Sequence, residues 1–261
     1  MDSPVLSFSY KWLCARLVRR GFSWNTSDFT RAKKQGQEGL TNRSNSVIIP
    51  NSVQKSAMTQ PRARRFLRTK QTILDAALEI VRTEGPAGLS MRALAERSDY
   101  SAAGIYEYFS NKDEIIQAVC EQGHERLASH MRQADPGLPI LGYLLGIGLG
   151  YIRFALENPD HFLLMFTTAP PAATGKDMSA ELLKDDTSFG ILLGAIRRGI
   201  EEGVFKSRPG FGLMEMAYTA WVTVHGMAML RVTSLRGYPM DFEAADQAGL
   251  VNFARGLTQA N

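Results

Sequence analysis

The chain has 261 residues, enough for one large domain or two modest ones, and its 44% hydrophobic content suits a packed soluble core. Its two cysteines, Cys14 and Cys120, lack any C-x-x-C spacing; a lone distant pair is a weak disulfide signal, and a reducing, cytoplasmic setting is the simpler expectation. The net charge of +4 is uneven: residues 1–60 carry nine Lys and Arg against three Asp and Glu, residues 61–132 eleven against ten, and residues 133–261 ten against thirteen, so the basic balance says little about nucleic-acid binding by the folded part.

Residues 1–57 show no sustained period and are rich in Ser, Asn, Thr and Gln, with scattered aromatics such as Trp12 and Trp24. They are expected to be a largely disordered basic extension, with a short basic helix near residues 10–19. Met58 opens "MTQPRARR" and offers an alternative start, so the native protein is expected to need little of what precedes it. The beginning of the chain has no apolar core followed by a small-residue cleavage site. The expected division is 1–60 extension, 61–128 first folded domain and 129–261 second.

From residue 66 the pattern is helical. Ile73, Ala76, Ala77, Ile80 and Val81 share one face, and Glu84-Gly85-Pro86 stops the helix. Ser90 caps a second helix with Leu94 and Ala95 inward, and Ser101 caps a third. Ser110 to Asp113 forms a short loop before a fourth helix through Ile115, Ile116, Val119 and Cys120, and Asp135-Pro136-Gly137 ends this unit. Longer helices follow over about 138–157, 178–202, 209–235 and 241–258. Asn158-Pro159 closes the first of these and caps its successor, and "APPAATGKD" (169–177) is a loop. No alternating strand pattern competes, so the fold class is all-α, without an internal repeat.

The stretch "SMRALAERSDYSAAGIYEYF" (90–109) meets the needs of a helix-turn-helix. Ala95 is small where the second helix crosses the first. Asp99 tolerates the left-handed turn, and Ile105 and Tyr108 lie three apart on the inner side. The helix from Ser101 then enters the major groove by its N-terminal half. Ala102, Ala103 and Glu107 face bases: Ala contacts a thymine methyl, and Glu accepts from cytosine N4. Gly104 lets backbone approach DNA, Tyr106 donates its hydroxyl to phosphate, and Lys112 adds charge beside the N–H groups of the fourth helix. Arg64, Arg65 and Arg68, from the cluster Arg62–Lys70, and Ser90, Arg92 and Tyr108 complete the expected DNA-contact set.

"TILDAALEIVRTEG" followed by "LSMRALAERSDYSAAGIYEYFSNKDEIIQAV" resembles the DNA-binding domain of TetR (tetracycline-repressor) family regulators over residues 66–126. Two positions depart from the family pattern: Asp99-Tyr100 stands where Gly-Val is usual, and Ala102 where Lys is frequent. The resemblance implies a homodimer that binds a double-stranded, inverted-repeat operator and leaves it when a small molecule enters the C-terminal domain. It implies a repressor, a helical ligand-binding and dimerisation domain after the helix-turn-helix, and no cofactor, metal or membrane.

"AWVTVHGMAML" (220–230) and "YIRFALENPDHFLLMF" (151–166) resemble a TetR-type C-terminal subgroup marked by Trp, then His-Gly. Trp221, His225 and Met229 share a helix face, which serves either a ligand pocket or ordinary core and interface packing. Phe154, Phe162, Met165, Phe166, Trp221 and His225 are the expected lining for an apolar or weakly anionic ligand, and Arg153, Arg197 and Arg198 are candidate partners for an anionic group. The dimer seam is expected on the last two helices, through Met216, Ala217, Ala220, Val224 and Ala228 on one and Phe242, Ala245, Gly249 and Phe253 on the other; the alternative is that these faces complete the core of the single chain.

Other function classes fare worse. "HERLA" (124–128) opens like a zinc-protease motif, but Ala128 stands where the second His must fall. "GIGLGY" (146–151) sits in a helical apolar run with no preceding strand, so it is no nucleotide loop. No Ser/His/Asp or paired-carboxylate arrangement stands out, and no enzyme activity is expected. The fifteen-residue apolar run 138–152 falls short of the roughly 20 residues that span a bilayer. The remaining alternative is a helical ligand-binding or interaction module without specific DNA binding.

Overall fold

The computed structural model describes residues 60–168 and 184–259. The chain falls into two units, Met1–Thr69 and Lys70–Asn261. Of the first only the helical turns from Gln60 are described, and the packing below is that of the second. The extension over 1–57, its short basic helix and the loop 169–177 lie outside the described residues.

Among the described residues are nine α-helices. They are α1 (Gln60–Glu84), α2 (Met91–Ser98), α3 (Ala102–Tyr106), α4 (Lys112–Met131), α5 (Ile140–Glu157), α6 (Pro159–Thr167), α7 (Ser188–Glu201), α8 (Leu213–Val232) and α9 (Phe242–Leu257). The fold is all-α, as the periodicity requires.

Three boundaries differ from the sequence reading. Helix α1 begins at Gln60, ahead of residue 66. Helix α7 begins only at Ser188, where the Thr187 hydroxyl accepts the Gly190 N–H at 2.9 Å. Helix α8 waits until Leu213 because Arg208 and Phe211 pair across a turn that needs Gly210 at φ 73°, and Glu215 then takes the Gly212 N–H at 3.0 Å. Asn158 closes α5 through its amide and N–H to the Phe154 carbonyl, yet its side chain does not cap α6, whose first position is filled by Pro159.

Two apolar cores form. The first gathers Ile73, Ala77 and Ile80 of α1, Leu94 of α2, Ile105 of α3, Phe109, and Ile115 and Val119 of α4. The second is built on α5, which packs against α4, α6, α7, α8 and α9. Helix α5 is the one helix among the described residues long and apolar enough to cross a membrane, but half of it is buried inside the protein, so a core role accounts for its composition. The glycines of "GIGLGY" are packing sites. A Cβ at Gly146 would meet Ala134 Cβ at 2.9 Å, one at Gly148 would meet Leu250 Cδ1 at 3.0 Å, and one at Gly150 would meet the His130 carbonyl oxygen at 2.6 Å. They let α4 and α9 approach α5.

The seam expected on α8 is corrected here: Met216, Ala217, Ala220, Val224 and Ala228 are buried inside the single chain, because that small-residue face is what α8 uses to cross α5, α7 and α9. On α9, Gly249 makes room for Met227, since a Cβ there would lie 2.5 Å from Met227 Cε. A partly buried ion pair, Arg231 Nη1 to Asp246 Oδ2 at 2.6 Å, ties α8 to α9.

Gly150→Ala would press a methyl on main chain that cannot yield without parting α4 from α5, and should lower stability by about 1–3 kcal/mol. Gly194→Ala, with nothing within 4 Å of its Cβ, should raise stability by about 0.5–1 kcal/mol. Urea denaturation of both variants checks the pair.

Candidate functional site

The helix-turn-helix is fixed by local hydrogen bonds. Ser90 Oγ accepts the Ala93 N–H at 3.1 Å and starts α2. Asp99 ends it at φ 57° and ψ 27°, the only left-handed non-glycine residue among those described. Ser101 Oγ accepts the Gly104 N–H at 3.0 Å and starts α3. A Cβ at Gly104 would sit 3.2 Å from that hydroxyl, so the glycine preserves the cap as well as a low profile. Leu94 and Ile105, both fully buried, clamp α2 on α3.

This leaves a solvent face. Ser101, Ala102, Ala103, Tyr106, Glu107 and Lys112 are exposed, as are Ser90 and Arg92. Arg92 pairs with Glu96 at 3.0 Å, an exposed contact that contributes little to stability. Tyr108 is half-buried with its side chain against the first core, so the core shares it with the surface. Arg64, Arg65 and Arg68 are exposed on the first turns of α1.

Three supports escaped the sequence reading. Arg97 bonds Glu84 at 3.2 Å and lies 3.7 Å from Glu79, tying α2 to the end of α1. Phe109 is buried under Lys70, whose ammonium lies 5.1 Å from the ring centre. Asn111 caps α4 by accepting the Glu114 N–H at 2.9 Å, while Glu114 accepts the Ser110 N–H at 2.7 Å. The pattern Asn-x-x-Glu was a readable cap signal. The Cys120 thiol is pushed up to about 11 by burial, so it is no ready nucleophile.

In the second core the expected lining residues do come together. Around His225 lie Phe166 at 4.6 Å, Phe162 at 5.4 Å, Trp221 at 6.0 Å and Tyr151 at 6.2 Å between ring centres. Phe154 stands behind Phe162 at 6.5 Å. His225 Nδ1 is 2.8 Å from the Tyr151 hydroxyl, and the Trp221 indole N–H donates to that hydroxyl at 3.4 Å. Met229 is half-buried on the same core, and Tyr151 is the participant that the sequence reading passed over. Met165 turns toward α4 instead, where a Cβ at Gly123 would meet its sulfur.

The family model for "Bacterial regulatory proteins, tetR family" matches residues 73–119, and that for "Tetracyclin repressor-like, C-terminal domain" matches residues 144–251. The chain belongs to the TetR family. The TetR-type match over 73–119 covers α2, α3 and parts of α1 and α4, the elements that make the turn and its exposed face. Among curated proteins, the HTH-type transcriptional regulator UidR of Escherichia coli is 31% identical over 77 residues, 30% of this chain and 39% of its own length. The HTH-type nicotine-responsive transcriptional repressor HdnoR of Paenarthrobacter nicotinovorans is 34% identical over 68 residues, 26% of this chain and 35% of its own. The chain thus spans under half the length of these relatives. Among solved structures, the TetR family regulator PfmR from Thermus thermophilus superposes with a TM-score of 0.56 at 22% identity, covering 72% of this chain and 96% of that one. A protein of unknown function from Rhodococcus sp. RHA1 gives 0.61 at 22% identity, covering 73% and 96%. At that identity these two bear on the fold alone.

Burial lowers the His225 pKa to about 4 from its ordinary 6.5. As pH falls, the unfolded chain takes this proton first and the folded chain only near 4. The stability contributed by neutral His225 is therefore complete above pH 6.5 and should be lost between 6.5 and 4, by about 3 kcal/mol in all. His225→Phe should flatten that part of the curve, which urea denaturation at a series of pH values will read.

Proposed function

We propose that this TetR-family chain is a homodimeric, cytoplasmic transcriptional repressor that holds an inverted-repeat operator through α3 and releases it when a small molecule binds the aromatic cluster around His225. The left-handed Asp99 turn carries the reading. It presents Ala102, Ala103 and Glu107 together on a short, tightly capped, exposed helix, a face that a purely structural helix pair would not require. Tyr106 and Lys112 flank that face and are suited to phosphate. Arg64, Arg65 and Arg68 supply further charge. The Trp221 and His225-Gly226 signature keeps the chain in the Trp/His-Gly subgroup on this reading.

Because the inward face of α8 is occupied, the dimer seam falls on its outward side. Tyr218 is 38% exposed and Leu230 50% exposed, and between them Gly226 has nothing within 4 Å of where a Cβ would stand. Gly226 lies two steps of four from Tyr218 and Leu230 one step further, so they form one stripe along the helix. A single five-residue reading helix covers too few base pairs for a specific site, and two-fold pairing supplies a second copy about one DNA turn, roughly 34–36 Å, away.

Fluorescence anisotropy with the DNA upstream of the chain's own gene tests the reading. Lys112→Ala should weaken binding to every sequence and reduce the salt slope by about one unit, whereas Glu107→Ala should change base preference at a cost of roughly 1–3 kcal/mol per lost contact. A swap of these two behaviours would sink the assignment.

The seam has its own test. The double substitution Tyr218→Glu and Leu230→Glu should give folded monomers that lose operator binding, as read by sedimentation and circular dichroism. Ala220→Glu, which puts charge into the core, should instead unfold the chain.

A further inference from the structure

The exposed face of α3 is poor in the usual base-reading side chains. Between Tyr100 and Ser110 the chain has no Arg, Lys, Asn or Gln, the residues whose paired hydrogen bonds recognise guanine and adenine in the major groove. Arg97, just before the turn, is held by α1, 3.2 Å from Glu84 and 3.7 Å from Glu79. The Ser101 hydroxyl oxygen holds the Gly104 N–H at 3.0 Å. What α3 and its C-terminal cap offer outward is the methyl groups of Ala102 and Ala103, the phenol of Tyr106 and the carboxylate of Glu107, all exposed.

Helical spacing sorts these side chains into two rows. Ala102 stands one turn before Tyr106, and Ala103 one turn before Glu107. Under the proposed function the Tyr106 row runs along phosphate and the Glu107 row along base edges. A carboxylate only accepts, so Glu107 selects an exocyclic amine and is repelled by the O6 and N7 acceptors of guanine. The methyl of Ala103 in the same row neither donates nor accepts. Against a polar base edge it would displace water and return no hydrogen bond. Against the apolar group that the major groove displays, the 5-methyl of thymine, it forfeits nothing and buries apolar surface on both sides.

We propose that Ala103 is a specificity-determining residue that reads the 5-methyl group of one thymine in each operator half-site, within about two base pairs of the amine accepted by Glu107. One helical turn of about 5.4 Å against a rise of roughly 3.4 Å per base pair sets that spacing. The inference rests on reading α3 as the operator-binding helix.

Uracil differs from thymine only by that methyl and pairs identically with adenine. Duplexes are selected from random DNA with the full chain, and each thymine of the enriched half-site is replaced in turn by deoxyuridine, with affinity read by anisotropy. At one thymine the replacement should weaken binding about fourfold, the factor equivalent to the roughly 0.8 kcal/mol of one buried methyl-sized group, and about sixteenfold when made in both half-sites. Ala103→Gly should bind the thymine and uracil duplexes alike at that position, whereas Ala102→Gly should keep the ratio. Each ratio is taken within one variant, so a general loss of folding or of phosphate contacts cancels. Should Ala103→Gly bind no DNA, Ala103→Ser, of similar size but without the methyl, should show the same loss of discrimination. A half-site without thymine, uracil tolerated at every position, or a ratio that survives replacement of Ala103 would each overturn the proposal and leave the operator reading standing. Selection that enriches no sequence would overturn both.

Discussion

Helix α6 is only nine residues long, yet two cores depend on it. Leu164 is buried in the core that α1, α2, α3 and α4 share, while Phe162 is buried in the core around α5. The helix lies close enough to α4 to do this because position 123 is glycine. A Cβ there would meet Met165 sulfur and stand 3.6 Å from His161 Cβ. Close-packed interiors do not deform smoothly, so a rod whose two faces are locked in different cores moves as a unit or not at all.

A polar layer accompanies that junction. Gln71 of α1 donates to Asp75 at 2.7 Å and accepts from Gln122 of α4 at 2.7 Å. His161 of α6 is buried beside them, its pKa lowered by burial first and then by Arg126 of α4, with Asp160 and Asp75 opposing. Such a layer is sensitive to position, because a buried imidazole tolerates neither added charge nor a lost partner. At the other end of α4, His130 Nε2 donates to the Glu157 carboxylate of α5 at 3.0 Å while its ring packs on Phe154 at 5.5 Å. The second core thus holds α4 at one end and touches its middle through α6.

Much of this was legible in the sequence, and the reasons differ by element. The caps Ser90 and Ser101, the Asp99 turn and the inward Leu94 and Ile105 are local, and local chemistry decides them. The convergence of Phe162, Phe166, Trp221 and His225 was also foreseeable, since their helices carry these residues on apolar faces. What could not be read was which face of a two-sided helix turns inward. Helix α8 has small apolar residues on one side and Tyr218, Gly226 and Leu230 on another, and only the neighbours α5, α7 and α9 decide between them. The glycines 146, 148 and 150 suggested a nucleotide loop by spacing alone and proved to be contact points for α4 and α9. Tyr151 next to them looked like one more core aromatic, because its partners Trp221 and His225 lie some seventy positions away.

Under the proposed function, the geometry of α4 explains how a small change at the aromatic cluster reaches DNA. Its crossing with α5 at His130 and Gly150 admits no extra atom, so that point acts as the pivot. Gly123, where α6 presses, lies roughly 10 Å along the helix from the pivot, and Lys112 roughly 27 Å, at 1.5 Å per residue. A sideways shift of about 1 Å imposed by Met165 would therefore move the Lys112 end by about 2.5 Å. In a dimer the two ends move in opposite directions and the spacing of the reading helices changes by up to about twice that, against a groove repeat of roughly 34–36 Å. Hydrogen bonds to base edges and phosphates weaken steeply over a few tenths of an ångström, so a displacement of that size is enough to break the set together. A ligand bound at the cluster around His225 would push on α6 directly, since Phe166 is on that helix. Differential affinity for the two positions of α6, rather than tight binding as such, is then what the site must supply.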